Sequence, residues 1–244
     1  MSEVIAFFSG KGGTGKSALC AGVATALATT GQKVLCVDAD VGLGNLDIFL
    51  GLESGAALSF LDICRGNYKL TAAAVHPIYP NLSFLAAPIS GSWADISTPA
   101  FAGMLEDARN LFDYILIDGP AGLAGGMKCC AQCADRCVVV TLPDRASIRC
   151  AQRAGQELEL LGAKNVRLVV NRIFNEMLKA LKMNIDDIMD AAGLPLLGVV
   201  PSDPDVSFAA AAGKPLLRHS RFGAAAAYKR IAKRIQGFPI PVSG

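Results

Sequence analysis

An excess of charge of either sign is the first thing this sequence lacks. Lys and Arg number 23 against 21 Asp and Glu, a formal net charge of +2. The whole-chain basic excess or marked patch typical of nucleic-acid binders is therefore absent. An export signal is also missing. The opening residues, Met-Ser-Glu-Val-Ile-Ala-Phe-Phe, carry no basic start and no small-residue cleavage site, and they lead straight into a glycine-rich loop. No uninterrupted apolar run approaches the roughly 20 residues that span a bilayer. These absences predict a cytoplasmic protein, with peripheral attachment as its route to a membrane. No internal repeat, low-complexity tract or Pro/Ser-rich linker divides the chain. The expectation is one domain over residues 1–244, ending in an irregular tail at 237–244.

Cysteine is not scarce: there are 8. A large, core-rich chain without an export signal does not suit a secreted disulfide framework. Cys20, Cys36 and Cys137 fall in helix or strand patterns, where a free thiol packs as a small hydrophobe. Cys129, Cys130 and Cys133 form a cluster that could hold a metal between two subunits. No second C-x-x-C and no nearby histidine supports that reading, and a helix with Cys129 and Cys133 on its core face explains the spacing equally well.

The chain is rich in hydrophobic residues, at 52%, with a mean hydropathy of +0.40. Short, continuous apolar runs at 4–8, 34–37, 82–86, 114–117, 137–141, 166–170 and 196–200 read as strands covered on both faces. Helix-length segments begin near Lys16, Ser59, Thr98, Ala146, Asn184 and Arg221. The alternation predicts an α/β fold, a predominantly parallel twisted sheet with helices on both faces. Ligands of such sheets bind beyond the carboxyl ends of the strands. The polar, glycine-rich or Asp-bearing stretches 9–17, 38–47, 118–126, 171–172 and 201–203 all fall there.

Residues 10–17, Gly-Lys-Gly-Gly-Thr-Gly-Lys-Ser, fit G-x-x-x-x-G-K-[ST] with a strand before and a helix, 17–28, after. Gly10, Gly12, Gly13 and Gly15 let backbone N–H groups, including that of Thr14, converge on phosphate oxygens, and the helix adds its positive end. Lys16 is expected to reach the β- and γ-phosphates and the Ser17 hydroxyl to ligate Mg²⁺. This is a P-loop NTPase pattern. Asp38 and Asp40 follow a strand end, where paired carboxylates suit Mg²⁺ water ligation and orientation of an attacking water, or, without a phosphate loop, a turn and helix cap. The run 115–117 ending in Asp118 has the Walker B form.

Lys11, just after the first glycine, is not required by an ordinary phosphate loop. The run Lys-Gly-Gly-Thr-Gly-Lys-Ser resembles the deviant Walker A motif of the MinD/ParA family. Residues 37–47 resemble the family's first switch segment, above all the version with Gly-Leu-x-Asn-Leu-Asp found in its MinD branch. Residues 119–122, Gly-Pro-Ala-Gly, resemble the second switch, with Gly119 where serine is usual. Residues 168–172 and 198–203 are similar to its base-binding elements. The likeness runs from Val4 to about Leu217.

The resemblance implies the following. Lys11 reaches across an ATP-dependent homodimer to the partner's nucleotide. Asp40 serves hydrolysis, with Asp38 in the same water and metal network. Asp118 holds Mg²⁺ through water. Asn171 bonds the adenine edge, while Arg172 and the Pro201–Asp203 backbone line the base, favouring ATP. A protein activator stimulates hydrolysis, and the switch regulates septum placement in cell division. The alternatives are a DNA-positioning protein of the ParA type, a flagellar-number regulator, or a metal-delivery ATPase using Cys129, Cys130 and Cys133. The branch's C-terminal membrane helix has no counterpart here. Residues 224–236 read as an amphipathic helix, with Tyr228, Ile231 and Ile235 opposite Lys229, Arg230, Lys233 and Arg234, and alternate prolines forbid a helix after it. That basic face is the candidate surface for DNA or for anionic lipid.

Overall fold

The computed structural model describes residues 2–42, 44–52, 58–122 and 125–242. In chain order the strands are β1 (Glu3–Ser9), β2 (Val34–Asp38), β3 (Ala74–Val75), β4 (Leu82–Leu85), β5 (Tyr114–Ala121), β6 (Arg136–Thr141), β7 (Val166–Ile173) and β8 (Leu196–Pro201). They form one sheet in the order β3-β4-β2-β5-β1-β6-β7-β8. Every pairing is parallel except β3 with β4, which is antiparallel. The apolar runs become strands as expected. β3, only two residues long, carries no periodic signal and was not anticipated.

Burial on both faces explains the unbroken apolar runs. In β1, Ile5 and Phe7 point into one core, while Val4, Ala6 and Phe8 point into the other, all fully buried. Side chains alternate across a strand, so both sets must be apolar when helices cover both faces. The first core is closed by α1 (Lys16–Thr29), α2 (Leu46–Leu50), α9 (Asp205–Ala211), α10 (Leu216–His219) and α11 (Gly223–Ile235). The second is closed by α3 (Phe60–Cys64), α4 (Thr98–Arg109), α5 (Gly125–Cys133), α6 (Arg145–Leu160) and α8 (Ile185–Ala192), with α7 (Asn175–Leu181) following β7. The short helices α2, α7, α9 and α10 are too brief for a helical period to mark them.

Two features place the functional edge. First, β5 continues past Ile117 through Asp118 to Ala121, pairing Phe7 with Asp118 and Ser9 with Ala121. A Cβ at Gly119 would sit 2.7 Å from the Phe7 carbonyl oxygen and 2.8 Å from the Phe8 ring. Glycine at 119 leaves room for this close approach of β5 to β1. Second, α11 lies on α1, with Tyr228, Ile231 and Ile235 buried as the sequence stripe predicts. The Tyr228 ring occupies the space a Cβ on Gly22 would need.

The chain after α11 folds back towards the edge strand. Arg234 donates through Nη1 to the Leu197 carbonyl at 3.0 Å and through Nε to that of Ile240 at 3.0 Å, and its Nη2 reaches the Pro241 carbonyl. One guanidinium thus ties residues 240–241 to β8.

The glycines give a test with opposite signs. Gly22→Ala pushes α1 from α11 and is expected to destabilise the protein by about 1–3 kcal/mol. Gly103→Ala, on an open position of α4 where an added Cβ meets nothing within 4 Å, is expected to stabilise by about 0.5–1 kcal/mol. Urea unfolding of the two variants measures both.

Candidate functional site

The glycine loop leaves the end of β1 and turns into α1. Gly15 caps that helix at φ 87°, with no side chain bonded to the first-turn N–H groups. Those donors, at the positive end of a 14-residue helix, form a ready site for an anion. Gly13, at φ 82°, opens the same backbone. Gly10 serves packing instead: its missing Cβ is replaced by the Cys150 backbone of α6. A Cβ on Gly15 would strike the Asn171 amide.

Two lysines in this loop lie in opposite environments. Lys16 is 6% exposed, and its Nζ lies 2.6 Å from Oδ1 of the fully buried Asp118. Burial opposes its charge, but the Asp118 carboxylate outweighs that and holds its pKa above the ordinary lysine value. In this structure Lys16 therefore grips the Walker B aspartate. The other Asp118 oxygen, Oδ2, is buried without a partner, as is the Thr14 hydroxyl. Lys11 is exposed. Its charge reaches Asp144 at the head of α6, whose carboxyl stays below its ordinary value: burial opposes this, but the Ser147 hydrogen bonds outweigh it and Lys11 adds to them.

The segment after β2 is organised by Asp38. Its Oδ1 accepts from the Asp40 N–H and its Oδ2 from the Leu46 N–H, each at 3.0 Å. Asp38 therefore staples both ends of the first switch, the turn-and-cap geometry that such a pair of aspartates also allows. Burial, reinforced by neighbouring Asp118 and opposed by those two N–H groups and Lys16, pushes its pKa up to about 7. Asp40 is half-buried, and burial also raises its carboxyl, with Lys16 opposing and Asp118 adding. Leu43 of this segment, and residues 123–124 after the second switch, lie outside the described residues.

Ser17, partly exposed, opens α1, while Asp38 and Asp40 lie near enough to feel the charge of Asp118, whose Oδ2 has no partner. Hard oxygen ligands and an unsatisfied carboxylate fit Mg²⁺.

The elements expected to bind the base divide. Asn171, 4% exposed, donates from Nδ2 to the Thr14 carbonyl at 2.7 Å and accepts from the Arg172 N–H at 2.9 Å. Its side chain thus braces the phosphate loop through one amide hydrogen and one carbonyl lone pair. Arg172 is exposed at a left-handed φ of 54°. The Asp203 carboxylate accepts from the N–H groups of Asp205 at 2.9 Å and Ala224 at 2.8 Å. It ties the starts of α9 and α11 together and leaves only its backbone, beside Pro201 at the end of β8, for a base.

The remaining candidates are the cysteines of α5 and the cations of α11, of which Lys233 is exposed. Cys129 and Cys133 lie one helical turn apart on α5, and the neighbouring Cys133 thiol holds the Cys129 pKa below its ordinary value; Cys130 is fully buried. Among the described residues no group of three or more His, Cys, Asp or Glu side chains is arranged to hold a metal ion. Of the α11 cations, Arg234 is committed to three carbonyls, while Lys229 and Arg230 are half-buried. No described helix is long and apolar enough to cross a membrane. One residue of the site escaped sequence reading altogether. Trp93, the single tryptophan, donates from Nε1 to the Ala39 carbonyl at 3.0 Å. Neither periodicity nor a motif connects positions so far apart in the chain.

Comparison with known proteins agrees with this geometry. The family model described as the CobQ/CobB/MinD/ParA nucleotide binding domain matches residues 5–216. The septum site-determining protein MinD of Bacillus subtilis is 37% identical over 249 residues, covering 99% of this chain and 92% of that protein. The MinC:MinD cell division protein complex of Aquifex aeolicus contains a chain of 34% identity and TM-score 0.91, covering 100% of this chain and 99% of that one. The septum site-determining protein MinD of Pyrococcus horikoshii, solved with Mg-ADP, is 25% identical with TM-score 0.83 over 96% of both chains. The likeness spans the phosphate loop, both switches and nearly the whole sheet, and on it this chain belongs to the MinD/ParA family of nucleotide-binding proteins.

Proposed function

We propose that this protein is a MinD-like ATPase that dimerises on ATP and Mg²⁺, separates on hydrolysis, and acts as a spatial regulator of cell division at the septum. The observation that carries the reading is the contrast within one loop: Lys16 is buried on Asp118 while Lys11 stands exposed beside it. Lys16 is held charged at the floor of the cradle, so it can pass from Asp118 to the β- and γ-phosphates. Lys11 is free to meet the nucleotide of a second copy. The N–H groups of residues 12–16 and the open end of α1 bind phosphate, and Asn171 keeps the loop in shape from below. Ser17 and, through water, Asp118 would hold Mg²⁺, which when bound offsets charge on the β- and γ-phosphates. Asp40 orients the attacking water, and Asp38 fixes the backbone that carries it.

The cell-division role rests on relatives named for septum-site determination and on one solved with its partner MinC. On this reading a protein activator acts on the dimer, and the protein works in the cytoplasm with peripheral membrane contact. The DNA-positioning reading has less support, because Arg234 is withdrawn from the α11 surface.

Size-exclusion chromatography with light scattering tests the switch. Wild type with ATP and Mg²⁺ should dimerise transiently, and Asp40→Ala should hold the dimer. A monomer in both proteins sinks the proposal. Lys16→Gln, which can still donate an N–H to Asp118, is expected to weaken ATP binding about 10- to 100-fold, the worth of a charged hydrogen bond. Lys11→Ala should keep ATP affinity within a few-fold and lose the dimer; calorimetry separates the two.

Asp38 gives a pH test. Its folded pKa of about 7 lies above the ordinary 3.8. The folded state therefore holds a proton that the unfolded chain releases. The stability this contributes is complete below about pH 4 and lost as pH rises through about 7. Without nucleotide or metal, wild type should lose stability relative to Asp38→Asn by about 1.4 kcal/mol per pH unit over roughly pH 5 to 6.5. Parallel urea titrations check this.

A further inference from the structure

We infer that Trp93 is a positioning residue for Asp40, a role that rests on the ATPase reading above. The peptide group joining Ala39 to Asp40 is held at both ends. Its carbonyl accepts from the Trp93 indole N–H at 3.0 Å, and its N–H donates to Asp38 Oδ1 at 3.0 Å. One residue earlier, the Ala39 N–H donates to the Asp118 carbonyl at 2.9 Å. The backbone leading into Asp40 is thus clamped between the Walker B strand, the switch carboxylate and one aromatic donor. Indole N–H is donor-only and rigid, so it fixes the carbonyl oxygen and accepts nothing in return.

Trp93 is itself held in place. It sits in a 3₁₀ turn (Trp93–Asp95) whose Ser92 and Asp95 cap each other reciprocally. Its ring stacks on Phe60 at 5.7 Å and 22° and meets Phe101 edge-on at 5.5 Å and 86°. The other flank of the indole lies against Gly126 of α5, where an added Cβ would come within 2.6 Å of Cε2. α5 is the helix that follows the second switch. One half-buried ring therefore touches the backbone before Asp40 and the helix beyond Asp118. An error of about 1 Å in a reacting group can cost on the order of a hundredfold in rate. A donor that sets the direction of the Asp40 backbone therefore governs turnover more than affinity.

The test compares steady-state ATP hydrolysis, calorimetric ATP affinity and thermal melting in wild type, Trp93→Phe and Phe101→Leu. Trp93→Phe keeps an aromatic ring and loses the N–H. It should lower kcat about tenfold, with KM and ATP affinity within twofold. Phe101→Leu loosens the same cluster and keeps the donor, so it should lower the melting temperature and leave kcat within twofold. In wild type, ATP with Mg²⁺ should shift the emission of this sole tryptophan. The inference is overturned if Trp93→Phe turns over at the wild-type rate, if it raises KM at unchanged kcat, or if Phe101→Leu loses kcat in proportion to its stability. Wild type that binds ATP and never hydrolyses it would overturn the ATPase reading instead, and this inference with it.

Discussion

The ion pair between Lys16 and Asp118 is the constraint on which the rest of the site depends. Neither group has water to fall back on: Lys16 is 6% exposed and Asp118 not at all. Burying two charges is costly even when they pair, and well-packed apolar residues would often be no less stable. A buried pair with one carboxylate oxygen left unsatisfied is therefore poor stabilising material. It makes sense as a pair built to exchange partners. The β1–β5 pairing puts Phe7 opposite Asp118, which brings the Walker B carboxylate below the phosphate loop. Gly119 permits that approach.

Around the pair the charges do not balance. Asp38, Asp40 and Asp118 lie near one buried ammonium, and burial first, with the charge of Asp118 adding to it, raises the pKa values of Asp38 and Asp40. Adding a polyphosphate to this cluster would worsen it unless a divalent cation came too. Nucleotide and metal therefore belong together here on electrostatic grounds, with the backbone N–H groups at the head of α1 supplying further positive potential. Asp38 shows how tightly this is built. The carboxyl most affected by the crowding also holds both ends of the first switch, through Asp40 and Leu46.

What the sequence revealed follows from which interactions are local. Strands buried on both faces show themselves as apolar runs, and the phosphate loop is contiguous, so β1, α1 and residues 10–17 were legible. So was the buried stripe of α11. A two-residue edge strand such as β3 and a five-residue helix such as α2 have no period to detect. Long-range side-chain contacts were hidden for a different reason. Asn171, expected to meet a base, also braces the phosphate loop through Thr14 and accepts from the Arg172 N–H, contacts that no motif announces. Asp203 caps two helices, one of them beginning 20 residues further along. A motif says which residues gather at a site and leaves open which of their atoms are already engaged.

The glycines of the site sharpen that distinction. The motif treats Gly10, Gly12, Gly13 and Gly15 alike, as positions where backbone must approach phosphate. Gly12 and Gly13 fit that account, since nothing lies near where their Cβ atoms would be. Gly10 is filled by Cys150, Gly15 by Asn171, Gly44 by Asp38, Gly119 by Phe7 and Phe8, and Gly126 by Trp93. In each of these the absent side chain is the space in which another element locks the loop. A cradle made only of unencumbered glycines would pay the full entropy of ordering when phosphate arrives. Here α6 and β7 already hold the cradle at Gly10 and Gly15, and its tip at Gly12 and Gly13 is the part left open to a ligand.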